Sequence, residues 1–175
     1  MVEPWPPATI NGRTDMNSTA RWVVGATVVA AGMIAGSAAP AGADGAVQVR
    51  GVQRPLAEFG TYSMEGSLVG TWSTTGLEWV GDTPSGVVRL AGTELFDGCY
   101  DAGGDGTCDA GDPAGTIEFS FTYSGRFDPA TGTLRHGRCH HPVTGGSGEF
   151  EGVSGVLTFH DDPSGCSIYR GHLDW

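Results

Sequence analysis

The sequence predicts an all-β fold: a small antiparallel β-barrel or, alternatively, a β-sandwich. Three observations lead there. Apolar and polar residues alternate with a period of two over most of the chain after residue 43, as in Ile117, Phe119, Phe121 and Tyr123 against Glu118, Ser120, Thr122 and Ser124. Clusters of turn-forming residues interrupt the alternation, at Asp82-Thr-Pro-Ser-Gly86, Asp128-Pro-Ala-Thr-Gly132 and Asp161-Asp-Pro-Ser-Gly165. No segment after residue 43 repeats its apolar residues at helical spacing. The result is about seven or eight short strands, a number that both architectures accommodate.

The first element is a leader. Met16-Asn-Ser-Thr-Ala-Arg21 is a polar start with one positive charge, Trp22 to Ala35 is an apolar run, and small residues follow to Ala41-Gly42-Ala43. This is the layout of a secretory signal peptide (residues 16–43) cut after Ala43. The apolar run falls short of the ~20 residues a membrane span needs, so no stable insertion is expected after cleavage. Residues 1–15 are polar and Pro-rich, and read as a misassigned start or a long leading region. The mature chain, Asp44 to Trp175, is then one domain of 132 residues, long enough for a real core.

Two acids and two bases lie upstream of Asp44, so the mature domain keeps the chain's net charge of −11, with no lysine at all. Such a surface repels polyanions, which argues against nucleic acid and anionic lipid as partners. All 4 cysteines, Cys99, Cys108, Cys139 and Cys166, fall in the exported part. Disulfides are the expected state outside the cell. Of the possible pairings we favour Cys99–Cys108 and Cys139–Cys166, because the first two bracket one short Gly- and Asp-rich loop. Zinc is the competing reading, but no CxxC pair exists.

Asp44 to Phe59 has a weak pattern and reads as a leader or a first edge strand. Tyr62, Met64, Leu68 and Trp72 share one face of a second run. Between Gly86 and Phe96, Val88, Leu90 and Phe96 face one side while Val87, Arg89 and Thr93 face the other. Leu134 to Cys139, Val156 to His160 and Ser167 to Trp175 are further short runs. Trp72, Trp79 and Trp175 are expected in the core or as plugs of a barrel end.

One segment narrows the choice of architecture. Gly145-Gly-Ser-Gly-Glu-Phe-Glu-Gly-Val-Ser-Gly155, followed by Val-Leu-Thr-Phe159, resembles a glycine-rich pattern of the allene oxide cyclase and dirigent barrel superfamily, most of all its secreted bacterial relatives. Gly145, Gly146 and Gly148 permit a positive φ or a close backbone approach, Phe150 can tuck under the barrel end, and Gly152 and Gly155 reverse the chain. The resemblance covers about fifteen residues and implies an eight-stranded antiparallel, calycin-like barrel with room for a small apolar ligand, often in dimers or trimers. Functional polar residues of that superfamily cannot be matched to positions here, and none is carried over.

Asp97 to Asp112 is the most acidic stretch. Set as an EF-hand-type loop starting at Asp101, it places Asp105, Thr107, Asp109 and Asp112 on ligand positions and Gly106 on the tight turn. Gly103 takes the place of one ligand oxygen, Asp112 is shorter than the usual bidentate Glu, and no helices flank the loop. The readings are a structural calcium ion or a plain acidic turn, and no other cofactor is implied. His136, Arg138 and His140 share a strand face while His141 points the other way, a pattern open to zinc or copper or to a polar strand face. A nucleophilic triad lacks its G-x-S-x-G elbow, and Asp161-Asp162 beside Pro163 reads as a turn rather than as glycosidase acids.

Three functions remain. The first is a secreted, non-catalytic barrel that binds a small apolar ligand or serves as an extracellular interaction module. The second is a cofactor-free isomerase or cyclase acting in the lumen. The third is a structural envelope protein with a filled barrel. A packed lumen would favour the third, an open apolar lumen the first, and an open lumen holding a buried carboxylate or histidine the second.

Overall fold

The turn clusters end strands as expected, and the strands between them close on one another. The computed structural model describes residues 45–175; the signal peptide expected over residues 16–43, and residues 1–15 before it, lie outside them. Eight strands follow in order: β1 (Val47–Pro55), β2 (Thr61–Gly66), β3 (Leu68–Asp82), β4 (Val87–Tyr100), β5 (Ala114–Phe127), β6 (Leu134–Gly148), β7 (Ser154–Asp161) and β8 (Ser167–Asp174). Each pairs with its neighbour in the chain, all antiparallel, and β1 pairs with β8 from Val47↔Leu173 to Gln53↔Ser167. The sheet is a closed eight-stranded barrel rather than a sandwich.

Closure corrects two expectations. The weakly patterned first segment is no edge strand, because β1 has partners on both sides, β8 and β2. The run from Tyr62 to Trp72 is two strands, not one. Gly66 takes φ 106° and the chain turns at Ser67, so that Met64 lies opposite Gly70. A Cβ at Gly66 would stand 2.5 Å from the Arg50 carbonyl oxygen, so glycine is required there twice over.

The inward faces make one core. Val49, Leu68, Trp72, Phe96, Ile117, Phe119, Leu157, Phe159, Tyr169 and Leu173 are all buried. Trp72 is its centre, stacked on Phe119 at 4.6 Å and tilted against Phe159 at 5.1 Å. Trp79, by contrast, is 61% exposed on the outer part of β3, against the expectation that it would be core or plug.

The two ends differ. At one, the β6–β7 turn carries Phe150 under the lumen, where it meets Trp175 at 5.4 Å, and Trp175 meets Tyr100 at 5.3 Å. Glu149 and Glu151 on either side of Phe150 stay exposed, as the glycine-rich segment suggested. Gly148 has φ 68°, and a Cβ on Gly146 would lie 2.4 Å from the Phe150 carbonyl oxygen. The Tyr169 hydroxyl accepts from the Leu68 amide at 2.9 Å, tying β8 to the β2–β3 turn at this same end. The other end, carrying the β1–β2, β3–β4, β5–β6 and β7–β8 turns, opens into a cavity.

Candidate functional site

Alternation alone would line the open half of the lumen with apolar side chains. Leu77, Leu90, Phe121, Phe127, Leu134 and Phe159 do form its wall, around a cavity of about 300 Å³. Polar groups interrupt that wall: Tyr62, Thr74, Glu94, Tyr123, Cys139, His141, Asp161 and Ser167. A larger hollow of about 720 Å³, beside Arg50, Arg170 and His172, lies on the outer wall and not in the lumen.

Two of the polar groups meet. Glu94 comes inward from β4, in phase with Phe96, and His141 comes inward from β6, in phase with Cys139. Their side chains are 10% and 4% exposed, and His141 Nε2 lies 2.7 Å from Glu94 Oε2. The contact lacks hydrogen-bond alignment: Glu94 Oε2 has no hydrogen-bond partner, and neither has His141 Nδ1. Glu94 Oε1 accepts from the Thr74 hydroxyl at 3.1 Å. Aromatic rings enclose the imidazole: Phe159 at 4.5 Å, Trp72 at 5.4 Å and Phe121 at 5.8 Å.

Backbone irregularities flank this pair. The β3–β4 register shifts between Thr74 and Gly76, beside Glu94, and the β5–β6 register shifts opposite Val143 and Gly145, just past His141. A bulge changes which face a strand turns inward, and here it lets both Thr74 and Leu77 of β3 line the cavity.

The phenols and the thiol respond to burial. Burial, then the charges of Glu94 and Asp161, push the Tyr62 phenol above its usual value. The same order of causes raises the buried Cys139 thiol well above the ordinary thiol range. Tyr123 is raised by burial first, then by the Asp161 charge, and its hydroxyl hydrogen-bonds Asp161. Asp161 also accepts from Ser167 Oγ at 2.6 Å, so this residue, read from sequence as part of a turn, faces the lumen from the last position of β7.

The residues singled out from sequence go elsewhere. Cys99 and Cys108 form a disulfide that pins the β4–β5 loop at the closed end. Cys139 and Cys166 are free, against the expected second bridge. Cys139 points into the lumen from mid-β6, whereas Cys166 sits in the β7–β8 turn with its sulfur 3.7 Å from Arg54. In the acidic loop, Asp101 is turned on the amides of Gly104 and Gly106, Asp105 on the amide and hydroxyl of Thr107, and Asp112 on the amides of Ala102 and Asp109. Each carboxylate closes its own turn rather than a shared cage. Among the described residues no group of three or more His, Cys, Asp or Glu is placed to hold a metal ion. His136, Arg138 and His140 lie on the exposed face, and His141 alone turns inward, as the strand parity required.

The position of Glu94 carries a signal in the sequence. It falls in phase with Leu90 and Phe96, a carboxylate on the apolar face of its strand, and that mismatch is the signal. No family model matches the chain, and neither curated proteins nor solved structures gave a match.

Proposed function

We propose that this protein is an exported barrel that binds a small, mainly apolar molecule through the open end of its lumen. The cavity carries the reading: about 300 Å³ of space walled by Leu77, Leu90, Phe121 and Phe159, with a polar pair at Glu94 and His141 to orient a ligand. That volume is roughly ten times the share of one water in the liquid, which suits a molecule of about ten non-hydrogen atoms. The signal-peptide layout of residues 16–43 and the Cys99–Cys108 bridge support a location outside the cell. The unfilled space weighs against a purely structural barrel. The buried carboxylate–imidazole pair is what favours a second reading, an isomerase.

The test is calorimetric titration with indane and 2-indanone, rings of the right size without and with a polar group. Both are expected to bind with Kd on the order of 0.1–1 mM, 2-indanone more tightly. Leu90→Trp, which fills the cavity from its wall, should abolish binding while leaving the circular dichroism unchanged. Absence of binding to the wild-type protein, or undiminished binding to that variant, overturns the proposal.

A further inference from the structure

Gly125 of β5 stands directly opposite Gly137 of β6, and Gly137 stands opposite Asp161 of β7. Neither glycine takes a positive φ, so backbone conformation does not call for them. Both are buried, on the inward phase of their strands with Phe121 and Cys139. Their missing side chains leave space in the wall, and Tyr123 fills it. A Cβ on Gly137 would lie 2.7 Å from the Tyr123 hydroxyl and 2.8 Å from its ring atom Cε2. One on Gly125 would lie 2.7 Å from Cε1, on the other edge of the ring. The ring therefore lies flat across the two glycines, with one face on the backbone and the other turned to the cavity that Tyr123 lines. The Gly137 Cβ would also lie 2.6 Å from Asp161 Oδ2, so this oxygen stands on the lumen side, beside the phenol.

The row runs on from Asp161 to Ser167 of β8 and Gln53 of β1, both of which line the cavity. Gln53 is 7% exposed, and among the described residues its side-chain amide has no hydrogen-bond partner. An aromatic face, a carboxylate and a free amide oxygen are the parts of an ammonium site. The face attracts a cation, the carboxylate pairs with it through charge-assisted hydrogen bonds, and the amide oxygen accepts one of its three N–H donors. Among the described residues no lysine or arginine lines the cavity to fill that place. The one imidazole there, His141, lies against Glu94. Asp161 has only hydroxyl partners, Ser167 and Tyr123. Burial raises the Tyr123 phenol, which stays an uncharged donor to Asp161. The net charge of −11 favours the approach of cations.

We propose that the open end of the lumen binds a small primary amine carried on an apolar body, its ammonium group seated between the Asp161 carboxylate, the open face of Tyr123 and the Gln53 amide oxygen. The inference rests on the binding reading above and names the polar group of the ligand. The apolar body lies against Leu90, Phe121 and Phe159.

The experiment is calorimetric titration of the intact mature domain at pH 7 with 2-aminoindane, indane and 2-indanone, three ligands on one carbon frame. 2-Aminoindane is expected to bind about tenfold more tightly than indane. Asp161→Asn should cost 2-aminoindane about tenfold more affinity than it costs indane. Tyr123→Leu, which removes the ring, should weaken amine binding more than Tyr123→Phe, which keeps it. If a variant does not fold, the wild-type comparison of 2-aminoindane with indane still decides. Binding of indane and 2-indanone with 2-aminoindane no tighter than either overturns this inference and leaves the binding reading standing. An equal loss for 2-aminoindane and indane in Asp161→Asn overturns it as well. Absence of binding by all three removes the binding reading, and this one with it.

Discussion

The two ends of the barrel are made by the same eight alternating strands and finish in opposite ways. At the closed end Phe150 from a turn, Trp175 from the last residue and Tyr100 from the end of β4 pack edge to face beneath the lumen. The Cys99–Cys108 bridge and the Tyr169 hydroxyl tie the loops there to the wall. At the open end the turns stop at the rim, and the side chains that reach inward are as often polar as apolar. The contrast teaches where each property comes from. Strand alternation builds the wall, but a segment outside the strands must fold back to fill an end. Where none does, the inward positions near the rim are freed from packing and can carry chemistry.

The sharpest way to break this contrast is to remove one large side chain from each end. Phe150 is fully buried, so Phe150→Ala should lower the unfolding free energy by about 3–5 kcal/mol. Leu134, half-buried at the mouth, should cost about 1 kcal/mol or less when cut to Ala. Urea unfolding of the two variants decides. Equal losses would show that the open end is packed like the other.

The disulfide separates stability from binding. Cys99 and Cys108 are 9 residues apart, and a ring that small should contribute about 2–3 kcal/mol through the unfolded chain. Changing both to Ser should lower stability by that amount and leave the affinity for 2-indanone within twofold, because the bridge is at the end away from the cavity. A large loss of affinity would mean that the two ends are coupled.

Much of this was readable beforehand, for a physical reason. A period of two and turn chemistry are local properties, so the strands from Ile117 to Tyr123 and over Leu134 to Cys139 could be placed from the residues alone. The opposite orientation of His141 from His136 and His140 followed from the same parity. Closure is not local. Whether β1 pairs with β8 depends on residues more than a hundred positions apart, such as Val49 and Gly171, and the weak pattern of β1 gave no hint of a partner on each side. The pair at Glu94 and His141 was hidden for the same reason: the two residues lie on strands separated by β5, and their approach follows from the registers of β4 and β6 on β5, which no alternation pattern announces. The acidic loop is a different case. Its spacing matched a cation loop, but spacing does not say whether a carboxylate turns toward a shared centre or toward its own backbone. Asp101, Asp105 and Asp112 do the latter.

The smallest effect expected is also the one that reports most directly on the open lumen. Burial, then the charges of Glu94 and Asp161, raise the Cys139 thiol above its ordinary value. In the unfolded chain that thiol titrates near ~8.5. Above this pH the unfolded chain releases a proton that the folded protein keeps, so the unfolded state binds fewer protons and stability must fall as pH rises. Between about pH 8.5 and 9.5 this single group should supply a slope of up to ~1.4 kcal/mol per pH unit. The raised phenols of Tyr62 and Tyr123 at the open end, and Tyr169 at the closed end, pushed up to about 12, join only above the ordinary phenol value near ~10. Melting temperatures of the wild type and Cys139→Ala from pH 7 to 9.5 test this. The variant should start lower and lose less, so that the two curves converge as the solution becomes alkaline. Parallel curves would mean that the thiol is reached by solvent in the folded state, and that water fills the lumen as far as Glu94 and His141.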